Sequence, residues 1–201
     1  MLLSVHRDHP EPRKIARAAE VLGNGGLIAY PTDTVYGLGC DLMNKQAIEE
    51  LHMLKAMAKG KPLSFICPDL SDIARYAVVD NATYRVLRHH LPGPYTFVLQ
   101  ATREVPKIAM TRQKTVGIRV PDHPVTQALV RALGRPLINT TASRDGEEPL
   151  IDPWEIQERY PTLDLVIDCE TGGLEPTTIV DLSTGEVRVL REGAGPIDEL
   201  V

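Results

Sequence analysis

With 201 residues, 43% of them hydrophobic, the chain can bury one sizeable core, and nothing in it demands a second domain. A formal net charge of −5 and a pI near 5.7 exclude a protein that coats nucleic acid through bulk electrostatics, so any RNA contact must be a local basic groove. Cys40, Cys67 and Cys169 lie far apart, which excludes a CxxC pair, a zinc-ligand spacing and an even disulfide set, and no run approaches the ~18 apolar residues of a membrane span. The expectation is one domain over residues 1–201, cytoplasmic, with reduced thiols, no metal site and no membrane contact.

Taken in chain order, Arg13 to Leu22 places Ile15, Ala18, Ala19 and Leu22 on one helical face, and Gly23 to Gly26 stop the helix. A strand at residues 27–30 follows and ends at Pro31. Asn44 caps a second helix with Ile48, Leu51 and Leu54 inward, and Leu63 to Cys67 reads as a buried strand. Asp69 to Ala77 and Asn81 to Leu91 are helical. Pro92-Gly93-Pro94 breaks the latter and launches the strand Tyr95 to Ala101. Val116 to Val120 is a further strand, with Arg119 on the side opposite Val116, Ile118 and Val120. Pro124 to Leu133 is a helix stopped by Gly134, Pro136 to Thr141 a strand and Trp154 to Tyr160 a short helix. Leu163 to Asp168 and Thr178 to Leu182 are strands, and Ser183-Thr184-Gly185 turns the second into Glu186 to Leu190 as a hairpin. Alternating helices and strands that end on an antiparallel hairpin predict an α/β fold with a mixed, twisted sheet, not a purely parallel one.

The decapeptide YPTDTVYGLG, Tyr30 to Gly39, puts hydroxyls and two glycines where a packed strand would gain nothing from them. It reads either as the wall of a small-molecule pocket, with Gly37 and Gly39 admitting a ligand or a positive φ, or as a Pro-Thr turn with an ordinary glycine exit. Lys55, Lys59 and Lys61 stand at a helix-to-strand junction that suits a phosphate, or else a solvated helix end. Arg119, off a central strand, needs an anion, either a ligand's or an internal Asp or Glu. Arg191 leaves a strand beside a glycine-containing exit, either to hold an anion or as an edge-strand charge exposed to water. Thr140 to Ser143 and Pro176 to Thr178 add hydroxyls at strand ends, where sheets build sites. His89-His90 cannot give the i, i+4 geometry of a helical metal site, His123 reads as a helix-start residue, and neither GxGxxG nor GxxxxGK[ST] occurs. Hydroxyls and cations with few candidate bases suggest recognition of an amino acid and phosphates, not acid–base hydrolysis.

The segments YPTDTVYGLGCD, KPLS, LPGPYTFVL, TVGIRVPDHPV, PTTIVDL and VLREGAG resemble, in order, the YrdC-like family over roughly residues 12 to 197. The resemblance implies an open twisted sheet around a large concave cavity. It also implies a threonylcarbamoyl-AMP synthase, which joins L-threonine, bicarbonate and ATP with Mg²⁺, releases pyrophosphate and feeds a tRNA modification. By position it assigns Thr32, Thr34, Tyr36, Arg119 and Thr177 to threonine, and Lys55, Lys61, Thr115, Thr141, Ser143 and Arg191 to the nucleotide. Lys55, Lys61 and Arg119 would carry the catalysis, by positioning and charge stabilisation. The implied partners are tRNA or double-stranded RNA and other tRNA-modification proteins. Met57 stands where the family has Arg, and Ser143 where it has Asn, which places the chain closer to the YciO-like branch than to the TsaC-like synthases. Two readings follow: a synthase of reduced activity, or a nucleotide- or RNA-binding module without efficient catalysis.

Overall fold

A computed structural model describes residues 1–56, 63–143, 147–198 and 200. Its helices are α1 (Pro12–Gly23), α2 (Lys45–Leu54), α3 (Leu70–Tyr76), α4 (Asn81–His90), α5 (Pro124–Leu133) and α6 (Pro153–Arg159). The strands are β1 (Leu2–Ser4), β2 (Ile28–Tyr30), β3 (Gly37–Gly39), β4 (Ser64–Ile66), β5 (Tyr95–Gln100), β6 (Thr115–Arg119), β7 (Leu137–Thr141), β8 (Leu165–Asp168), β9 (Thr178–Asp181) and β10 (Arg188–Arg191). The helix starts follow from local chemistry. Asn44, Asp69, Asp80 and Asp152 each accept a backbone N–H in the first turn of the helix they open, a cap that contributes about 1 kcal/mol. Gly134 closes α5 in the left-handed region, at φ 72°.

All ten strands form one mixed sheet in the order β1-β8-β2-β3-β7-β4-β6-β5-β9-β10. Among the described strands four pairs are parallel (β1 with β8, β2 with β8, β4 with β6, β5 with β9) and the other five antiparallel, and β9–β10 is the antiparallel hairpin read from the sequence. Two strands were not foreseen. The first, β1, has few residues and finds its partner only at β8, near the other end of the chain. The second, β3, is built from Gly37-Leu38-Gly39 and pairs with β2 and β7, so these glycines belong to the sheet and not to a ligand-binding loop. A Cβ on Gly39 would lie 2.1 Å from the Ile138 carbonyl oxygen, and one on Gly37 would lie 2.5 Å from Asn139 Oδ1 and 3.0 Å from the Tyr30 ring. Packing dictates glycine here.

Strand alternation divides the apolar side chains between two layers. On one face Ile28, Tyr30, Ile66, Leu137, Leu165 and Ile167 pack beneath α1 and α5, whose Ile15, Ala18, Leu22, Val125, Leu129 and Leu133 are buried with them. On the other face Ala29, Phe65, Phe97, Ile118, Ile138, Val166 and Val180 join Ile48 and Leu51 of α2, Ile73 of α3, Leu87 of α4 and Ile156 of α6. The α1–α5 layer stops at β4. Ile66 is paired in register with Arg119 of β6, so Arg119 lies on the same face just where the helical cover ends. No described helix is long and apolar enough to cross a membrane.

Candidate functional site

The uncovered half of that face is a cavity of about 740 Å³. Its floor is a single row of paired residues, Asn139, Ser64, Gly117, Val98 and Asp181, which crosses β7, β4, β6, β5 and β9 in register, and all five line the cavity. The next row in the same strands, Ile138, Phe65, Ile118, Phe97 and Val180, points the other way into the core. Gly117 keeps the middle of the floor low, since a Cβ there would lie 3.1 Å from both the Ser64 Cβ and the Thr96 methyl. Thr34 and Val35 form one wall; Ser183, Thr184 and Arg191 of the β9–β10 hairpin and its exit form another.

Arg119 is 3% exposed. Its Nη2 donates to Asp33 Oδ1 at 2.8 Å and to Thr34 Oγ1 at 3.1 Å, while Nε has no hydrogen-bond partner. The internal anion anticipated as one alternative is therefore Asp33, whose other oxygen accepts from the Asp122 N–H. Burial pulls the Arg119 pKa down from its ordinary value, and the Asp33 carboxylate opposes that shift. Arg191 Nη2 donates to the Thr177 carbonyl at 2.7 Å and its Nε to the same oxygen at 3.2 Å. Burial lowers its pKa too, and the positive charge of Arg119 lowers it further. The two cations share one field across one hollow, with a single carboxylate, Asp181, among the described lining residues.

Of the residues singled out from the sequence, Thr34, Thr115, Arg119, Thr141, Thr177 and Arg191 line this cavity together. Thr32 does not: its hydroxyl is buried in its own turn, donating to the Val35 carbonyl and meeting Thr34 Oγ1. Tyr36 is turned through the sheet, where its hydroxyl donates to the Ile167 and Glu170 carbonyls behind the wall. Alternation explains this, because Tyr36 follows Val35 just before β3 and takes the opposite face. Lys55 and Ser143 also stand outside the lining. Lys55 is buried with Nζ on the carbonyls of Thr141 and Ser143, so it fastens the end of β7. Lys61, with Met57 and Lys59, lies outside the described residues.

Sequence reading missed Ser64, Thr96, Gln100, Asn139 and Asp181 on the cavity surface. The signal existed in part: in YTFVLQ Thr96 and Gln100 share one phase, interrupted by Val98, and Ser64 and Asn139 break otherwise apolar runs. His123, read as a helix-start residue, does stand at the N-terminal boundary of α5, where its side chain makes no capping bond and its buried ring instead meets Glu170 Oε1 at 2.9 Å.

An open mixed sheet with half of one face uncovered, and two arginines and several threonine hydroxyls converging above it, defines an α/β protein whose cavity suits a polar, anionic small molecule. Residues 20–193 match the Sua5/YciO/YrdC family, described as telomere recombination, and the chain belongs to that family. It is 39% identical over 196 residues to the uncharacterized protein YciO of Escherichia coli K12, covering 96% of this chain and 95% of that one. The threonylcarbamoyl-AMP synthase of Serratia proteamaculans is 36% identical over 172 residues, 83% of this chain and 90% of the other. The crystal structure of E. coli YciO gives a TM-score of 0.96 at 38% identity, over 100% of this chain and 99% of that one. P. abyssi Sua5 complexed with L-threonine gives 0.93 at 26% identity, over 100% of this chain and 59% of the other.

Proposed function

We propose that the protein is an L-threonylcarbamoyladenylate synthase-like enzyme, forming threonylcarbamoyl-AMP and pyrophosphate from L-threonine, bicarbonate and ATP, and acting in the cytoplasm to supply tRNA modification. The observation that carries this reading is the convergence of Arg119 and Arg191 on one hydroxyl-lined cavity. Two fixed cations that raise each other's energy are stabilised by an anion placed between them. Kinship with a threonylcarbamoyl-AMP synthase and with a threonine-bound Sua5 supports the identity of the substrates.

In the proposed reaction, threonine's amine and bicarbonate condense to a carbamate with loss of water. A carbamate oxygen then attacks the α-phosphorus of ATP, forming the new P–O bond as the bond to pyrophosphate breaks. Arg119 holds the carboxylate end beside Thr34 and Thr177, and Arg191 faces the phosphates. Catalysis is then positioning and charge stabilisation, consistent with the absence of a histidine from the described lining. Mg²⁺ would enter with the triphosphate, since Asp181 is the one carboxylate among the described lining residues and such ions keep several waters beside one or two protein ligands.

Lys55, engaged on backbone carbonyls, favours a second reading: a nucleotide- or RNA-binding module in which the family's cations serve structure. Pyrophosphate release separates the two. With Mg·ATP and bicarbonate, the synthase requires L-threonine for pyrophosphate; equal release with and without threonine rejects it. The binding module predicts no turnover and RNA affinity that falls steeply with salt.

A further inference from the structure

The floor of the cavity carries an amide whose orientation is fixed from behind. Asn139 lies on β7, is 6% exposed and lines the cavity. Its Oδ1 accepts a hydrogen bond from the Tyr30 hydroxyl at 2.8 Å. Tyr30 is fully buried on β2, and burial pushes its phenol well above its ordinary pKa, so the hydroxyl remains a donor. The same hydroxyl lies 3.2 Å from the Ile138 carbonyl, and its shorter bond to Oδ1 fixes which end of the amide is the acceptor. The donor end, Nδ2, lies 3.3 Å from Ser64 Oγ, another residue of the cavity floor. The Ser64 hydroxyl is itself committed, donating to the Asn139 carbonyl at 3.1 Å. An amide nitrogen has two hydrogens, and Ser64 takes only one.

The arrangement is built rather than incidental. Tyr30 reaches Asn139 across β3, and it passes only because Gly37 and Gly39 carry no side chains: a Cβ on either would meet the Tyr30 ring at about 3 Å, and one on Gly37 would strike Asn139 Oδ1. The glycine pair of the decapeptide therefore makes room for the element that orients the floor amide.

We propose that Asn139 is a substrate-positioning residue, presenting an uncharged N–H donor to an anionic oxygen of the bound ligand, with Tyr30 holding the amide in the donor-forward orientation. The proposal rests on the reading of the cavity as a threonine and ATP site. It adds to that reading a neutral donor on the floor, distinct from the two arginines on the walls, and a role for a core tyrosine that never touches the ligand. A fixed donor discriminates strongly between acceptor and donor groups, because a wrong partner leaves a buried polar atom unpaired.

The test is calorimetric titration of Mg·ATP and of L-threonine, separately, into five proteins: wild type, Asn139→Asp, Asn139→Ala, Tyr30→Phe and the double variant Tyr30→Phe with Asn139→Ala. Asn139→Asp keeps an acceptor for the Tyr30 hydroxyl and so preserves the fold, but puts a negative acceptor where the donor was. It is expected to weaken one of the two ligands by about tenfold or more under conditions where circular dichroism shows the variant folded, and which one weakens tells whether the oxygen belongs to phosphate or carboxylate. Tyr30→Phe is expected to weaken the same ligand severalfold. Comparing the double variant with Asn139→Ala alone isolates the coupling, and Tyr30→Phe should have no further effect once the amide is gone. Wild-type affinity in Asn139→Asp for both ligands overturns the proposal, as does a Tyr30→Phe effect that persists without Asn139. Failure of the synthase reading appears separately, as wild-type protein that binds a ligand yet releases no threonine-dependent pyrophosphate.

Discussion

Arg119 Nη2 and Asp33 Oδ1 lie 2.8 Å apart, joining the end of β6 to the turn after β2, and both side chains are less than a tenth exposed. The pair sets the height of the guanidinium over the cavity floor, and Asp33 is in turn fixed by the Asp122 N–H. Replacing Asp33 by Asn leaves the cation buried without its counter-charge. Such a loss costs about 3 kcal/mol. Asp33→Asn is therefore expected to lower the unfolding free energy by about that amount in urea titration. Saturating ATP should restore part of it, because the ligand's anion replaces the missing carboxylate. Unchanged stability would show that the cavity hydrates Arg119 well enough to do without Asp33.

Arg191 holds the Thr177 carbonyl with two of its nitrogens, so it both faces the cavity and pins the start of β9. Arg191→Lys keeps the charge but loses the planar fork. The expected result is a tenfold or greater rise in KM for ATP, with a smaller change in stability than Arg191→Ala produces. Charge-assisted hydrogen bonds of this kind are lost at about 1.5–3 kcal/mol each. Equal KM values in wild type and Arg191→Lys would remove Arg191 from the nucleotide contacts.

Tyr36 and Thr34 are two residues apart in the hydroxyl row, yet only Thr34 reaches the cavity. Tyr36→Phe deletes the hydroxyl that ties the wall to the Ile167 and Glu170 carbonyls. Stability should fall by about 1–2 kcal/mol while threonine affinity stays within twofold of wild type. Thr34→Val removes a partner of Arg119 Nη2 and of Thr32 Oγ1, so it should cost stability of similar size, but it should also weaken threonine about tenfold. A large loss of threonine affinity in Tyr36→Phe would place its ring at the ligand after all.

Most of the elements were legible because their signals are local. Asn44 caps α2, Gly134 ends α5, and the Pro92-Gly93-Pro94 break precedes β5. The mixed sheet followed from the terminal hairpin. What could not be read was pairing at a distance. β1 is a strand only because β8 lies beside it, and Gly37 and Gly39 are glycines because Tyr30 and the Ile138 carbonyl occupy the space above them. The same limit applies to the site. Arg119 needed an anion, and no spacing rule could tell a ligand from Asp33, which folding delivers from 86 residues away. Lys55 was assigned to phosphate by its position in a motif, and no spacing rule could show that its amine also donates to the carbonyls of Thr141 and Ser143.

Gly39 gives the most direct check on the sheet. Any side chain there would meet the Ile138 carbonyl and the Tyr30 ring at once, and β3 is hydrogen-bonded on both edges, so the backbone has little room to retreat. Gly39→Ala is expected to destabilise the protein by about 3 kcal/mol, measured by chemical denaturation. Gly185→Ala, by contrast, meets no atoms and suffers only from its φ of +84°, so its cost should be about 1 kcal/mol. Equal effects of the two substitutions would mean that β3 is not held between β2 and β7.

Met57 lies outside the described residues, and its expected consequence comes from sequence and chemistry. A thioether stands where the resemblance places an arginine, so a charged, bidentate phosphate ligand is missing from a site that otherwise collects cations. Restoring it with Met57→Arg should raise the rate of threonine-dependent pyrophosphate release by about ten- to a hundredfold, the equivalent of one charge-assisted hydrogen bond or two in the transition state. The gain should appear in kcat rather than in KM if the guanidinium meets charge that develops only as pyrophosphate departs. A variant no faster than wild type would mean that Lys59 or another cation already neutralises the leaving group.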